Sequence, residues 1–576
     1  MKVNPINLEV IHNELLSIAE EMGISLQKAA YSSNIKTRLD FACAIFDDSF
    51  RNIVQALHIP SMLGALVSMV PASIQEYGLS NLSEGDGLIM NDPHKGGTHL
   101  PDIALISPIF HKSRIYGYVA NIAHHQDVGG RSPGSVPGDS TDIYQEGLVI
   151  PPLRLVKQGQ FQDHVLTLLL ANVRAPRKRL GDYRAQLAAN TLGLQRVQTL
   201  LTKYDSETLR TYMNAILVYT ERRMRAALQE IPSGHYTATD FLDGDGITRQ
   251  PVKIGVELTI HDDTVTIDLS LSDPQGPGPM NATKASTLSA VSYIFKCLTD
   301  PAIPVNYGLY QPLKIIAPRG SVVHAQPPAA IAGCWEVAQR ICDVIVLALA
   351  EAIPQKVCAA GKGIICNISF GGINPNTQNL YTFYETVGGG YGARPNNDGM
   401  DAVQYHLTNT QNAPIEEIEL QYPVLIERYE MLPDSEGPGK YRGGLGLRRD
   451  YCFQNHSVTF SVLSDRTRFP PWGLFHGGAA QPSSYIVNPG APNEIQLWSK
   501  HTILLKPNDR VTIQTPGGGG YGDPKARDPQ LVLADVQNEK ITPSRATQFY
   551  GVVINSESLT VNWKETSQRR HQSQEA

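Results

Sequence analysis

The sequence predicts an α+β protein of several domains, with helices mixed among antiparallel sheets and a strand-rich C-terminal part. Three observations predict it. Some windows space apolar residues three and four apart, and some apolar runs pair across short polar turns. Beyond about residue 371, glycine clusters and short strands replace the helical windows. A chain of 576 residues exceeds one ordinary domain. Composition divides it into an N-terminal α+β region 1–235, a middle α+β region 236–370, a β-rich glycine-containing region 371–565 and a disordered polar tail 566–576.

Taken in order, residues 7–30 place Leu8, Ile11, Leu15, Ile18, Ala19 and Met22 on one helical face. Residues 32–48 lead from polar residues into a short strand, and 59–75 return to helix. The segments 103–110 and 115–123 are apolar runs joined by the polar turn His111-Lys112-Ser113-Arg114, which predicts an antiparallel hairpin. Pro108 favours an edge position for its first strand. Residues 129–147, crowded with Gly, Pro and Ser, read as a long functional loop. Helix dominates 180–230, strands alternate through 252–271, and further helices are expected over 287–297 and 336–352.

Composition narrows the function. A net charge of −6 gives no reason to expect nucleic acid as partner, and the basic cluster Arg174, Arg177, Lys178 and Arg179 reads as a solvated helix end. Seven cysteines without a CxxC pair suit a reducing compartment and suggest no thiolate metal site. The first 21 residues lack an apolar signal core, and no apolar run approaches the ~20 residues of a membrane span, so a cytoplasmic protein is expected.

The hairpin carries the chemistry. With its turn centred near Lys112 and Ser113, paired positions sum to about 225, which sets Asp102 opposite Ala123 and Pro101 opposite His124. Thr98-His99-Leu100-Pro101-Asp102 and His124-His125-Gln126-Asp127 then meet at its open end. Two histidines and one carboxylate with open positions can hold a divalent cation that polarises a carbonyl or activates water. His99, Asp102 and His124 are the expected ligands, with His125 and Asp127 in reserve. Each histidine alone would more often be a surface or satisfied core residue; their joint placement favours the metal. Asp92, His94, Asp139 and Glu146 are further acid–base candidates, all on segments read as loop. The glycine runs 388–392 and 517–520 could present N–H groups to an anion, although tight turns explain them as well. Neither continues into Gly-Lys-Ser/Thr, so a nucleotide site is expected on another chain or in a fold without that loop.

Several segments match one pattern in order: NDPHKGGTHLPD (91–102), HHQDVGG (124–130), YQEGLVIPP (144–152), NVRAPRKRLGDYRAQLAAN (172–190), GGGYGARPNNDGMD (388–401), DSEGPGKYRGGLG (434–446) and TPGGGGYGDP (515–524), with 34–47 before them. Together they resemble the hydantoinase B/oxoprolinase family. The resemblance implies the second subunit, or half, of an ATP-dependent enzyme, with a hydantoinase A-like partner that binds ATP and phosphorylates the substrate carbonyl oxygen. It implies a hetero-oligomer that opens 5-oxo-L-proline, giving glutamate as in glutathione metabolism, or a hydantoin. The family's metal motif carries onto His99, Asp102 and His124, with manganese, iron, zinc and cobalt all open. Where His94 stands the family more often has an aromatic residue. Asp127 or Glu146 would relay protons. The alternatives are a subunit of an ATP-dependent ketone carboxylase, and a non-catalytic scaffold that holds no metal.

Overall fold

The computed structural model describes residues 3–62 and 64–571. Its N-terminal part is built on a seven-stranded sheet of order β2-β1-β5-β4-β3-β6-β7. The strands are β1 Phe41–Asp47, β2 Asn52–Gln55, β3 Gly87–Met90, β4 Asp102–His111, β5 Arg114–His124, β6 Leu153–Lys157 and β7 Gln160–Phe161. Period-two alternation sends β1 to two cores. Phe41, Cys43 and Ile45 pack with helices α1 (Pro5–Ala29), α3 (Pro176–Tyr204) and α4 (Ser206–Leu228), while Ala42, Ala44 and Phe46 pack with α2 (Ala65–Tyr77). Asparagine N-caps α1, with Pro5 in its first turn, where a missing N–H costs nothing. The expected helix is therefore present over 5–29, and each hairpin strand is one residue longer at both ends than expected.

Two expectations about the hairpin need correction. β4 lies between β5 and β3, so it is an interior strand. Pro108 is tolerated because β3 pairs no further along β4 than Ile106, leaving the Pro108 nitrogen no partner to lose on that side. The register is also one residue off. At the turn, where Lys112 and Ser113 both take positive φ as in a two-residue type I′ turn, His111 pairs with Arg114. A bulge between Ile109 and Phe110 then shifts the pairing, and Asp102 stands directly opposite His124.

The middle part pairs β8 (Gly234–Leu242), β9 (Val252–His261), β10 (Thr264–Asp268) and β11 (Leu313–Ile316) into a sheet packed against helix α6 (Cys334–Leu349), which also rests on α5 (Lys284–Leu298). The C-terminal part is a sandwich of a four- and a five-stranded sheet sharing one aromatic-rich core, with Phe370 at 5.0 Å from Phe453 across it. No helix among the described residues is long and apolar enough to cross a membrane.

The glycine runs are neither anion cradles nor simple turns. Segments 388–392, 443–446 and 517–520 lie backbone against backbone, with Gly444 N donating to Tyr391 O (2.9 Å) and Gly518 N to Gly444 O (2.9 Å). The tail expected to be disordered enters a helix, Trp563–His571, held by Arg570 donating to Tyr550 O and Arg527 O; residues 572–576 lie outside the described residues.

Candidate metal centre

Because Asp102 faces His124 across the hairpin, both side chains leave the same face of the sheet. His99, three residues before Asp102, comes from the turn leading into β4, where Asp102 N donates to His99 O (3.0 Å). The structure thus brings together the three expected ligands, with their ligand atoms all within 4.8 Å of one another. All three are buried.

Their hydrogen bonding is incomplete in a telling way. Among the buried polar atoms without a hydrogen-bond partner are His99 Nδ1, Asp102 Oδ1 and His124 Nε2. His99 Nδ1 lies 2.8 Å from Asp102 Oδ2 without the alignment of a hydrogen bond. Such unpaired groups are costly in a protein interior, and three converging on one point are what a shared cation would satisfy. The other sides of the ligands are held. Thr98 donates to Asp102 Oδ2 at 2.5 Å, Asn34 meets His124 Nδ1 at 3.1 Å, and the His124 ring stacks on Tyr384 at 4.6 Å. Outer partners of this kind orient metal ligands.

The electrostatics separate the two histidines. Burial, with the neighbouring His99 and Arg38 charges, takes His124 well below the ordinary histidine range and keeps its ring neutral. Burial also opposes a charge on His99, but the Asp102 carboxylate outweighs it and raises its pKa.

A carboxylate not recognised from sequence lies beside these ligands. Asp40 lines the same cavity as Asp102 and His124, and its carbonyl accepts from His124 N (3.0 Å). Burial pushes its carboxyl up to about 7. The available signal was its place one residue before β1, which pairs Phe41 with Ala123 and so carries Asp40 to the level of His124. The cavity measures about 20 Å³ and is walled on other sides by Trp335, Tyr384 and three threonines. That is room for an ion or one water, not for a ring.

The remaining candidates are engaged with other partners. His125 turns to α3, its Nε2 3.0 Å from Gln186 Oε1 and its ring against Tyr183. Asp127 is saturated: it accepts from the backbone N–H groups of Gly129, Gly134 and Arg174 and from the Arg174 guanidinium (3.0 Å). With no lone pair left for transfer, it clamps the long loop. Glu146 likewise accepts from Ile331 N, Ala332 N and Ser140 Oγ, tying that loop to the turn ahead of α6; burial raises its carboxyl to about 7. Asp92 caps the turn 93–95, His94 Nε2 meets Ala329 O (3.3 Å), and Asp139 pairs with Arg131. The basic cluster is not merely a solvated helix end either, since Arg179 is buried beside Asp182 (3.1 Å). Asp127→Ala should therefore destabilise the fold by about 2–3 kcal/mol, through orphaned buried donors, and leave metal content unchanged. Urea denaturation with metal analysis measures both.

Comparison with known proteins adds the context. The model of the family described as Hydantoinase B/oxoprolinase matches residues 4–524. An uncharacterised protein of Methanocaldococcus jannaschii is 39% identical over 99% of this chain and all of its own length. A Pseudomonas protein named as a D-/L-hydantoinase component is 33% identical, covering 99% of this chain and 98% of its own. The 5-oxoprolinase of Dictyostelium discoideum is 34% identical over 90% of this chain, which spans 40% of that protein. Among solved structures, an ATP-dependent caprolactamase from Pseudomonas jessenii superposes with a TM-score of 0.91 at 30% identity, covering 99% of this chain and 100% of that one. An acetone carboxylase shares the fold with a TM-score of 0.92 at 19% identity, over 99% of this chain and 83% of its own.

Proposed function

The chain belongs to the hydantoinase B/oxoprolinase family, and on that premise we propose that it opens a small cyclic amide, 5-oxo-L-proline or a hydantoin, in an ATP-dependent reaction shared with a hydantoinase A-like partner. The names of three relatives, a hydantoinase component, a 5-oxoprolinase and a caprolactamase, support a cyclic-amide substrate. The glycine runs support a division of labour, because their N–H groups are spent on neighbouring backbone rather than offered to phosphates. Nucleotide binding then falls to the partner. In Dictyostelium 5-oxoprolinase, the length beyond the matched part leaves room for such a partner in the same chain.

The observation that carries the reading is the convergence of three buried side chains, His99, Asp102 and His124, with ligand atoms all within 4.8 Å of one another. His99, Asp102 and His124, with Asp40 as a fourth donor, would hold a divalent cation, and manganese, iron, zinc and cobalt all accept such nitrogen and oxygen ligands. When bound, that ion supplies a Lewis acid for a carbonyl oxygen or lowers the pKa of a water. The chain's own residues do the rest. Burial keeps His124 neutral, and its Nε2 can serve as a ligand when the ring hydrogen sits on Nδ1. That requires the Asn34 amide, now donating to Nδ1 with its oxygen taken by Arg38, to turn over. Thr98 holds the Asp102 carboxylate, and Trp335 and Tyr384 wall the cavity. Admission of a ring requires the walls of the 20 Å³ cavity to part.

Protons compete with the cation for these ligands. With the Asp40 carboxyl at about 7, that group takes up a proton as pH falls through neutrality, and the raised pKa of His99 adds a second competing proton. Metal retention on dialysis should therefore be full above pH 8 and decline below pH 7. Retention unchanged to pH 5 would remove Asp40 from the ligand set.

The functional test is coexpression with a hydantoinase A-like partner and assay of ATP-dependent 5-oxoproline opening with and without bicarbonate. Glutamate formed without bicarbonate is the expected result. Bicarbonate-dependent ATP turnover on a ketone, without glutamate, would instead place the protein in a carboxylase. A metal-free chain whose partner is fully active alone would make it a scaffold.

A further inference from the structure

Besides Asp102 and His124, the cavity is walled by Thr386, the last residue of the strand Leu380–Thr386, and by Thr408 and Thr410. All three are buried. A threonine hydroxyl has one hydrogen and two lone pairs. Thr386 Oγ1 has three neighbours: Arg38 Nη2 at 2.9 Å, Gln404 Nε2 at 3.2 Å and Thr410 Oγ1 at 2.9 Å. The guanidinium can only donate. The Gln404 amide is held the same way round, because its Oε1 accepts from Lys362 Nζ at 2.9 Å, which leaves its nitrogen for Thr386. Two incoming donors fill both lone pairs of Thr386, so its own hydrogen goes to Thr410. Thr410 receives that bond and keeps its own hydrogen. Its other neighbour, Thr408 Oγ1, is 3.4 Å away, beyond the ~2.5–3.0 Å of a good O–H···O bond. The direction that remains is the cavity.

We propose that Thr410 is an oxygen-binding donor of this site, its hydroxyl aimed by Arg38 and Lys362, through Thr386 and Gln404, at a substrate oxygen that is negative or becoming so. The inference rests on the cyclic-amide reading above for the identity of that oxygen, the amide carbonyl. Asp40 and Asp102, which would hold the cation, supply no hydrogen to an incoming oxygen once ionised, so a hydrogen-bond donor for it has to come from another side chain of the cavity. A hydroxyl fixed in advance by two cations supplies the opposing hydrogen without reorganising, the property that makes an oxyanion donor effective. Hydrogen-bonded chains of this kind polarise each other in the same direction.

Formate, the smallest carboxylate and so the one that requires the cavity walls to part least, probes the donor apart from turnover. Its affinity for the manganese-loaded full-length chain is measured by titration calorimetry in wild type, Thr410→Val and Thr410→Ser. Thr410→Val should weaken formate by about tenfold to 100-fold, the range for a hydrogen bond to a charged group. Thr410→Ser should restore it to within about threefold, with metal content and melting temperature the same in all. If the valine variant does not fold, Thr410→Ala takes its place. Formate binding to the valine or alanine variant as tight as to wild type, or no formate binding by wild type, overturns the proposal. Failure of the wild-type complex to open 5-oxoproline would instead count against the functional reading and leave the formate comparison to decide the role of Thr410.

Discussion

His124→Ala is expected to abolish metal retention and ring opening together while the chain stays folded. The alanine removes the one ligand nitrogen supplied by β5, and with it a ring whose Nε2 has no partner in the protein. Loss of an outer partner of a metal ligand already costs about 10–100-fold in affinity, so loss of the ligand itself should exceed 100-fold. Stability should respond far less. The variant forfeits the stack on Tyr384 and the contact with Asn34 but also relieves a desolvated polar atom, so offsetting changes of about 1–2 kcal/mol are expected. Metal analysis and calorimetric melting on the same preparation separate the two effects. Full metal content with lost activity would assign His124 to catalysis rather than to binding; full activity would dissolve the site.

Gly443→Ala should prevent folding. A Cβ at Gly443 would lie 1.7 Å from Gly518 O, and that atom belongs to backbone in a neighbouring extended glycine segment. No rotamer change relieves such a contact, and separating the segments breaks the ladder that joins 388–392, 443–446 and 517–520. Overpacking of a yielding core costs about 1–3 kcal/mol; here the obstacle is main chain, and the loss should exceed the ~5–15 kcal/mol of a typical fold. Gly320→Ala is the control. Gly320 has φ +81° and nothing within 4 Å of a Cβ, so only about 1–2 kcal/mol of left-handed strain is expected. Soluble, cooperatively melting Gly443→Ala would show that the glycine segments can part.

Much of the site was legible because its decisive element is local. Alternating apolar runs on either side of a polar turn locate the β4–β5 hairpin, and the hairpin carries Asp102 and His124 with it. The one-residue register error came from the bulge at Ile109 and Phe110, a backbone feature with no residue signature in that stretch. Asp40 and the threonine wall were out of reach for a different reason. Asp40 arrives through pairing of β1 with β5, and Thr386 and Thr410 arrive from the C-terminal sandwich, more than 250 residues along the chain. For Asp127 and Glu146, closeness in sequence says nothing of how many backbone donors a carboxylate already serves, which only the fold shows. The glycine runs were misjudged likewise: a single run reads as a turn, and only the meeting of three shows why each position excludes a side chain.

The measurement that bears most directly on the central claim is the divalent metal content of the purified chain, by mass spectrometry, for wild type and for the double variant His99→Ala/His124→Ala. About one ion per wild-type chain is expected and none retained by the variant after dialysis, with both melting cooperatively. A wild-type chain that stays empty after exposure to manganese, iron, zinc and cobalt, or a variant that holds as much as wild type, would contradict it.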